Sequence, residues 1–154
     1  VETKVLDLGL FLEVLPAYLV VYKMEVIPFQ MEYYPMLYSV LRDKGIADKD
    51  MSLLNIETRV LIDNEELIGF YSAEKIMDIY NLHHFCVCKV SHKALWRLVL
   101  DLINYAKKRD CKYITLHVEQ DSKLERFVIK FCKRKKFQIL MFNYKNFNFY
   151  KVEV

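Results

Sequence analysis

Four histidines, four cysteines and two glutamates on a predicted hairpin are the groups here best suited to move protons or hold a metal. His83 and His84 are neighbours in a strand-like segment, Leu82–Val90. Adjacent strand residues face opposite ways. At most one of the two can therefore serve one site, as a general base through a neutral imidazole. His92 falls at a helix start, where the dipole disfavours its protonated form. His117 lies in a later strand, and the spacing of the four gives no metal site. Glu66 and Glu74 are further possible bases, with exposed hairpin carboxylates as the simpler reading. Cys86, Cys88, Cys111 and Cys132 lack a paired C-x-x-C spacing and sit in apolar segments, so they read as small buried hydrophobes in a reducing compartment. No Ser-His-Asp order, phosphate-binding P-loop or paired carboxylate motif occurs.

A different chemistry is suggested by residues 85–96, "FCVCKVSHKALW". An apolar strand ends near Val90 and a helix begins at Ser91. Strand-to-helix turns hold phosphates because free N–H groups and the helix dipole point at the ligand. Glycine usually lets the ligand approach, and none is present. Ser91 and Lys93 could substitute with a hydroxyl and an ammonium. The simpler reading is that Ser91 only caps the helix, contributing about 1 kcal/mol.

The elements that position these residues can be read from periodicity. Lys23–Gln30 alternates as a strand, and Glu32–Lys44 has helical spacing with Pro35 in its first turn and Gly45 as a stop. A polar connection with one short helical turn follows. Arg59–Ile62 and Glu66–Glu74 form a hairpin around "DNEE". Leu82–Val90 reads as a strand buried on both faces near its end. The helix from Ser91 buries Leu95, Leu98, Val99, Leu102, Ile103 and Ala106, with Trp96, Arg97, Asp101, Asn104 and Lys108 on other faces. Lys112–Val118 is a strand. Asp121 or Ser122 caps a helix to about Lys135, with Leu124, Phe127, Val128, Phe131 and Cys132 inward. Phe137–Phe142 and Asn146–Val152 close the chain as a hairpin. The order β-α-β-β-β-α-β-α-β-β describes an α+β fold, a mostly antiparallel sheet with helices on its faces and one parallel pair.

Bulk composition fits one domain: 154 residues, 54% hydrophobic and 28% charged, with only three glycines and three prolines. Residues 1–23 form an apolar arm, interrupted by Glu13 and Pro16 and too short to span a membrane. The domain proper is 24–154. The net charge of +3 hides a basic stretch, Lys107–Lys136, with eleven Lys/Arg against four Asp/Glu. It could meet a nucleic-acid backbone. A solvated helix end is the cheaper explanation.

"LWRLVLDLINYAKKRDCKYITLHV" and "LERFVIKFCKRKKFQIL" resemble the central helix, fifth strand and following helix of the GNAT superfamily, the acyl-CoA-dependent N-acetyltransferases. The resemblance implies a GNAT-like fold over 24–154 and acetyl-CoA as cofactor. It places the family's Gln/Arg-x-x-Gly-x-Gly/Ala phosphate turn on Val90, Lys93 and Leu95, none of which matches. The family's Tyr acid falls on Cys132, and the glycine before a family Phe on Lys136. Implied cofactor contacts are Cys88, Val90, Ser91 and Lys93, and implied catalytic groups are His84 and Cys132. The departures favour a GNAT-fold protein with a degraded acetyl-CoA site, a non-catalytic binding or assembly module with a protein partner. Loose kinship with GNAT-like internal virion proteins of short-tailed phages places it in the cytoplasm or within a virion. The alternative is a divergent acetyl-CoA-dependent N-acetyltransferase, and a weaker one is a nucleic-acid binder.

Overall fold

The computed structural model describes residues 24–43, 45, 57–88 and 91–154. The arm at 1–23, the helical turn in 46–56 and Val90 fall outside these residues.

A seven-stranded sheet has the order β1-β2-β3-β4-β5-β7-β6. Its strands are β1 (Glu25–Pro28), β2 (Glu57–Asp63), β3 (Glu66–Ile76), β4 (Ile79–Val87), β5 (Tyr113–Glu119), β6 (Ile139–Tyr144) and β7 (Phe147–Glu153). Every neighbouring pair is antiparallel except β4 and β5. Helix α1 (Tyr34–Asp43), preceded by a single 3-10 turn, packs on one face. Helices α2 (His92–Lys108) and α3 (Lys123–Lys135) pack on the other. The mixed α+β sheet expected from the element order is what forms.

Turn chemistry explains the connections. Asn64 and Glu65 both have left-handed backbones (φ 50° and 66°), as a two-residue hairpin of primed type requires. A second tight turn at Met77 (φ 57°) joins β3 directly to β4. The expected strands stopped at Glu74 and restarted at Leu82. The sequence does not mark this turn, because Met77–Asp78 lacks the glycine or asparagine typical of such turns.

Ser91 caps α2, its hydroxyl accepting from Ala94 N at 3.4 Å. Ser122 caps α3 by accepting from Glu125 N at 3.1 Å. At the end of α3, Lys136 takes the left-handed position (φ 58°), and Phe137 N donates to Cys132 O. This is the position where the family resemblance places a glycine, and a side chain there costs about 1 kcal/mol or more.

The core under α2 contains Leu98, Leu102, Ile103 and Ala106, all buried. Leu95 and Val99 are only half-buried. Gly69 lets α2 approach the sheet: a Cβ there would stand 2.8 Å from Leu98 Cδ1 and 2.9 Å from the Cys86 carbonyl.

Two expected outward residues of α2 turn inward. Trp96 packs on Phe127 and Phe131 of α3, with ring centroids 5.9 and 5.1 Å away. Asp101 accepts from Arg59 Nε at 2.7 Å and from the Tyr71 hydroxyl at 2.7 Å. Burial works against the Arg59 charge, but the Asp101 hydrogen bond and charge outweigh it and raise its pKa. Burial, then the Asp101 charge, raises the Tyr71 phenol. Asp101→Ala leaves a guanidinium and a fully buried hydroxyl without this partner. The expected loss is about 2 kcal/mol, read as a lower denaturation midpoint, with Asp101→Asn losing less.

The cysteines divide differently from expectation. Cys111 and Cys132 are buried, Cys86 is half-buried and Cys88 is exposed. The end of β4 is therefore not buried on both faces: Phe85, Cys86 and Val87 are all half-buried.

Candidate functional site

The parallel pair opens almost as soon as it forms. Only Ile79, Tyr80 and Asn81 of β4 pair with β5, opposite Tyr113, Ile114 and Thr115. Beyond Asn81 the two strands part. The last contact is closed by Thr115 Oγ1 donating to Asn81 Oδ1 at 2.8 Å.

A bulge in β4 sits at this point. Ser72 pairs with His84, but Ala73 pairs with Leu82, so His83 is the extra residue. A bulge bends its strand and resets the side-chain alternation. Leu82 and Phe85 thus both face the core under α2. His83 and His84 both lie on the α1 face, correcting the expectation that they point opposite ways. His83 Nε2 is 3.2 Å from Glu74 Oε2, both groups being exposed. His84 is half-buried opposite Ser72, and Ser72 Oγ lies 3.0 Å from Thr58 Oγ1. Asn81, Thr115 and His117 share this face by alternation. The mouth of the wedge on the α1 side is therefore polar and carries imidazoles beside hydroxyls and a carboxylate.

The helix side of the wedge is apolar. Leu82, Phe85, Leu116, Phe127 and Phe131 help line a cavity of about 70 Å³. Cys132 lines it too, and burial pushes its thiol up to about 11. A thiol that weak stays protonated at neutral pH but gives up its proton reluctantly.

At the start of α2, Ser91 is half-buried and Lys93 exposed. Leu95 N makes the first helical bond, to Ser91 O at 3.0 Å, and of the amides before it Ala94 N is engaged by the Ser91 hydroxyl. Cys88 N donates to Ile68 O at 2.8 Å, holding this end of β4 to β3. The sequence-predicted residues thus fall into three places: His84 at the polar mouth, Cys132 in the apolar interior, and Cys88, Ser91 and Lys93 at the β4–α2 junction. Glu66 lies at the far end of the hairpin from Glu74.

Between α2 and α3 lies a larger open groove of about 530 Å³, lined by aromatic and basic side chains. The aromatic partners of Trp96 and the His83 bulge are features that periodicity did not reveal. Among the described residues no three His, Cys, Asp or Glu side chains group as metal ligands. No described helix is long and apolar enough to cross a membrane.

The architecture places the chain among proteins with a GNAT-like fold. No protein-family model and no curated protein matches the sequence. Solved structures do match. An acetyltransferase of Bacillus subtilis in complex with CoA shares 18% identity at a TM-score of 0.62, over 85% of this chain and 99% of that one. A GNAT family acetyltransferase of Elizabethkingia anophelis with acetyl-CoA bound shares 15% at 0.62, over 86% and 99%. The diaminobutyrate acetyltransferase of Paenibacillus lautus, in complex with L-2,4-diaminobutyric acid and coenzyme A, shares 13% at 0.64, over 84% and 95%. At these identities the likeness is one of fold.

Proposed function

We propose that the chain is a divergent acyl-CoA-dependent N-acetyltransferase, the reading that the sequence alone placed second. The parting of β4 from β5 at the His83 bulge carries this proposal. Among the described residues, the pairing of β4 with β5 covers Ile79–Asn81 and goes no further. An extended ligand with amide groups can add there as a strand would. The wedge joins an apolar interior to a polar mouth, so a thioester arm and an amine could meet from opposite sides of the sheet. The neighbours solved with CoA or acetyl-CoA add weight to this order of readings.

Acetyl-CoA would supply the activated acyl group as a thioester. His84, at the mouth, takes a proton from the incoming amine as it attacks. Ser72 and Thr58, hydrogen-bonded behind it, fix the polar floor of that face. Cys132 lines the apolar interior and could protonate the departing sulfur, and its raised pKa makes water the competing source.

Isothermal titration with acetyl-CoA is expected to show micromolar binding. Thiol release in the presence of a panel of primary amines should then identify turnover. No binding at millimolar ligand would overturn the proposal.

The second reading, a non-catalytic assembly module, draws on a different observation. Edge strand β6 exposes Leu140, Met141, Phe142 and Tyr144, an apolar surface of the kind that protein partners cover. Leu95 in place of a glycine favours it as well.

A further inference from the structure

We propose that edge strand β6 is the contact strand of a homodimer. A second copy of this chain pairs antiparallel with it about a twofold axis at Phe142, so that the sheet continues across the interface. This contact does not depend on acetyl transfer and stands or falls apart from it.

Strand β6 has the composition of a covered strand in an uncovered place. It lies at one end of the sheet, and among the described residues β7 is the strand paired with it. Its sequence, ILMFNY, carries no charge and no proline. The opposite edge, β1, is only four residues long and holds Glu25 and Pro28, ordinary guards against edge pairing. The register of β6 with β7 is regular from Ile139 to Tyr144, so no bulge turns this edge away. Leu140, Met141, Phe142 and Tyr144 are 72%, 53%, 66% and 57% exposed. Together they leave about 400 Å² of apolar side chain uncovered. That is roughly half of the ~800 Å² that each partner gives to a standard interface. Backbone pairing and the exposed Phe147 of β7 add to it.

Charge separates a second copy from a polyanion as the occupant. Register and alternation put Leu140, Phe142 and Tyr144 on one face with Lys151, Glu119 and Glu153. Lys151 lies over the Tyr113 ring, 4.2 Å from its centroid, and the two carboxylates outnumber it. A face without an excess of cations does not hold a phosphate backbone. An aromatic face of low charge suits an identical one.

Symmetry then fixes the pairing. A twofold axis perpendicular to the sheet keeps each face on its own side, so opposed residues must belong to the same alternation set. Centred on Phe142, the axis sets Leu140 opposite Tyr144 of the second copy and Phe142 opposite itself. All three exposed residues of that face are then covered, and no two like charges of the strands meet. Phe142 already stacks on Phe149, with ring centroids 5.1 Å apart and planes 6° from parallel. The two pairs join across the axis as one ladder of four rings, the kind of cross-strand contact that stabilises sheets.

The test is the mass of the full chain in solution, by light scattering and sedimentation. A dimer is expected from micromolar concentration upward. Phe142→Lys places two like charges on the axis and should weaken the dimer about thirtyfold or more. Leu140→Lys, at the most exposed position of the strand, repeats the measurement. Circular dichroism should show both variants folded, since both side chains are exposed within one chain. Opposed Cα atoms in an antiparallel pair stand about 4.5–5.5 Å apart, within disulfide reach. Phe142→Cys should therefore form a covalent dimer on mild oxidation. Met141→Cys, which faces Asn143 of the second copy, should not, and the parent with its exposed Cys88 sets the background. A chain that stays monomeric at high micromolar concentration overturns the proposal. So does a dimer that both lysine variants leave intact, which puts the contact elsewhere. Cross-linking through Met141→Cys and not through Phe142→Cys overturns the axis at Phe142.

Discussion

Replacing His84 by glutamine is expected to lower kcat for acetyl transfer about 100- to 10,000-fold, the usual contribution of a positioned general base. Binding of acetyl-CoA, measured by titration, should not change. On the proposed reading the cofactor would enter the wedge from the helix side, whereas His84 lies opposite Ser72 on the other face. The loss should therefore fall on kcat more than on the cofactor KM. The acid limb of the pH–rate profile should flatten in the variant, because an imidazole accepts a proton only when neutral. His83→Gln is the informative comparison. The bulge puts both rings on one face, but His83 is exposed and already engaged with Glu74. It should cost less, and Glu74→Gln should reproduce most of its effect. Equal rates in the His84 variant and the parent would assign proton removal to water.

Much of this arrangement was legible in the sequence, and the part that was not has a common cause. Strong 3.6-residue periodicity in α2 and α3 gave the helices and most of their buried residues. Ser91 and Ser122 announced both N-caps by residue type. The basic run at the end of α3 was visible as charge. What stayed hidden was anything set by register between strands. The extra residue at His83 exists only relative to β3, and it reverses the predicted relation of the two histidines. The parting of β4 from β5 is likewise a pairing that stops, and an apolar run looks the same whether paired or not. Asp101 read as an outward helix residue because its partners, Arg59 and Tyr71, are 42 and 30 positions away. Trp96 was placed outside for the same reason: the aromatic face that receives it belongs to α3. The missing glycines were visible from the start. The groove lined by basic and aromatic side chains was not, since it is formed between two helices.

Glu125 shows the same limit and gives the largest expected stability effect. It lies in the first turn of α3, where a solvated carboxylate near the helix N-terminus is ordinary. In the fold it is buried, at 5% exposure, with no described cation beside it. Donors replace the cation. Asn148 Nδ2 hydrogen-bonds to Oε2, the Tyr150 hydroxyl donates to the same oxygen at 2.8 Å, and Asp121 N donates to Oε1 at 2.9 Å. The bond from Asn148, then that from Asp121, holds its pKa below the ordinary 4.5, against the opposing effect of burial. Burial and the bond to this carboxylate push the Tyr150 phenol up to about 12. Together they tie the start of α3 to β7, and so fix the wall that lines both the wedge and the groove. Glu125→Ala leaves Asn148 and Tyr150 buried without their acceptor, at a cost of about 3 kcal/mol. The sign with pH follows from the depressed pKa. The folded chain releases this proton more readily than the unfolded one, so the stabilisation is full above the ordinary carboxylate value. It is lost as pH falls through the lower folded value. Denaturant titrations at neutral and acid pH should show the Glu125→Gln variant less stable at neutrality, with a shallower acid loss than the parent. An unchanged acid slope in that variant would mean that Glu125 does not carry the effect.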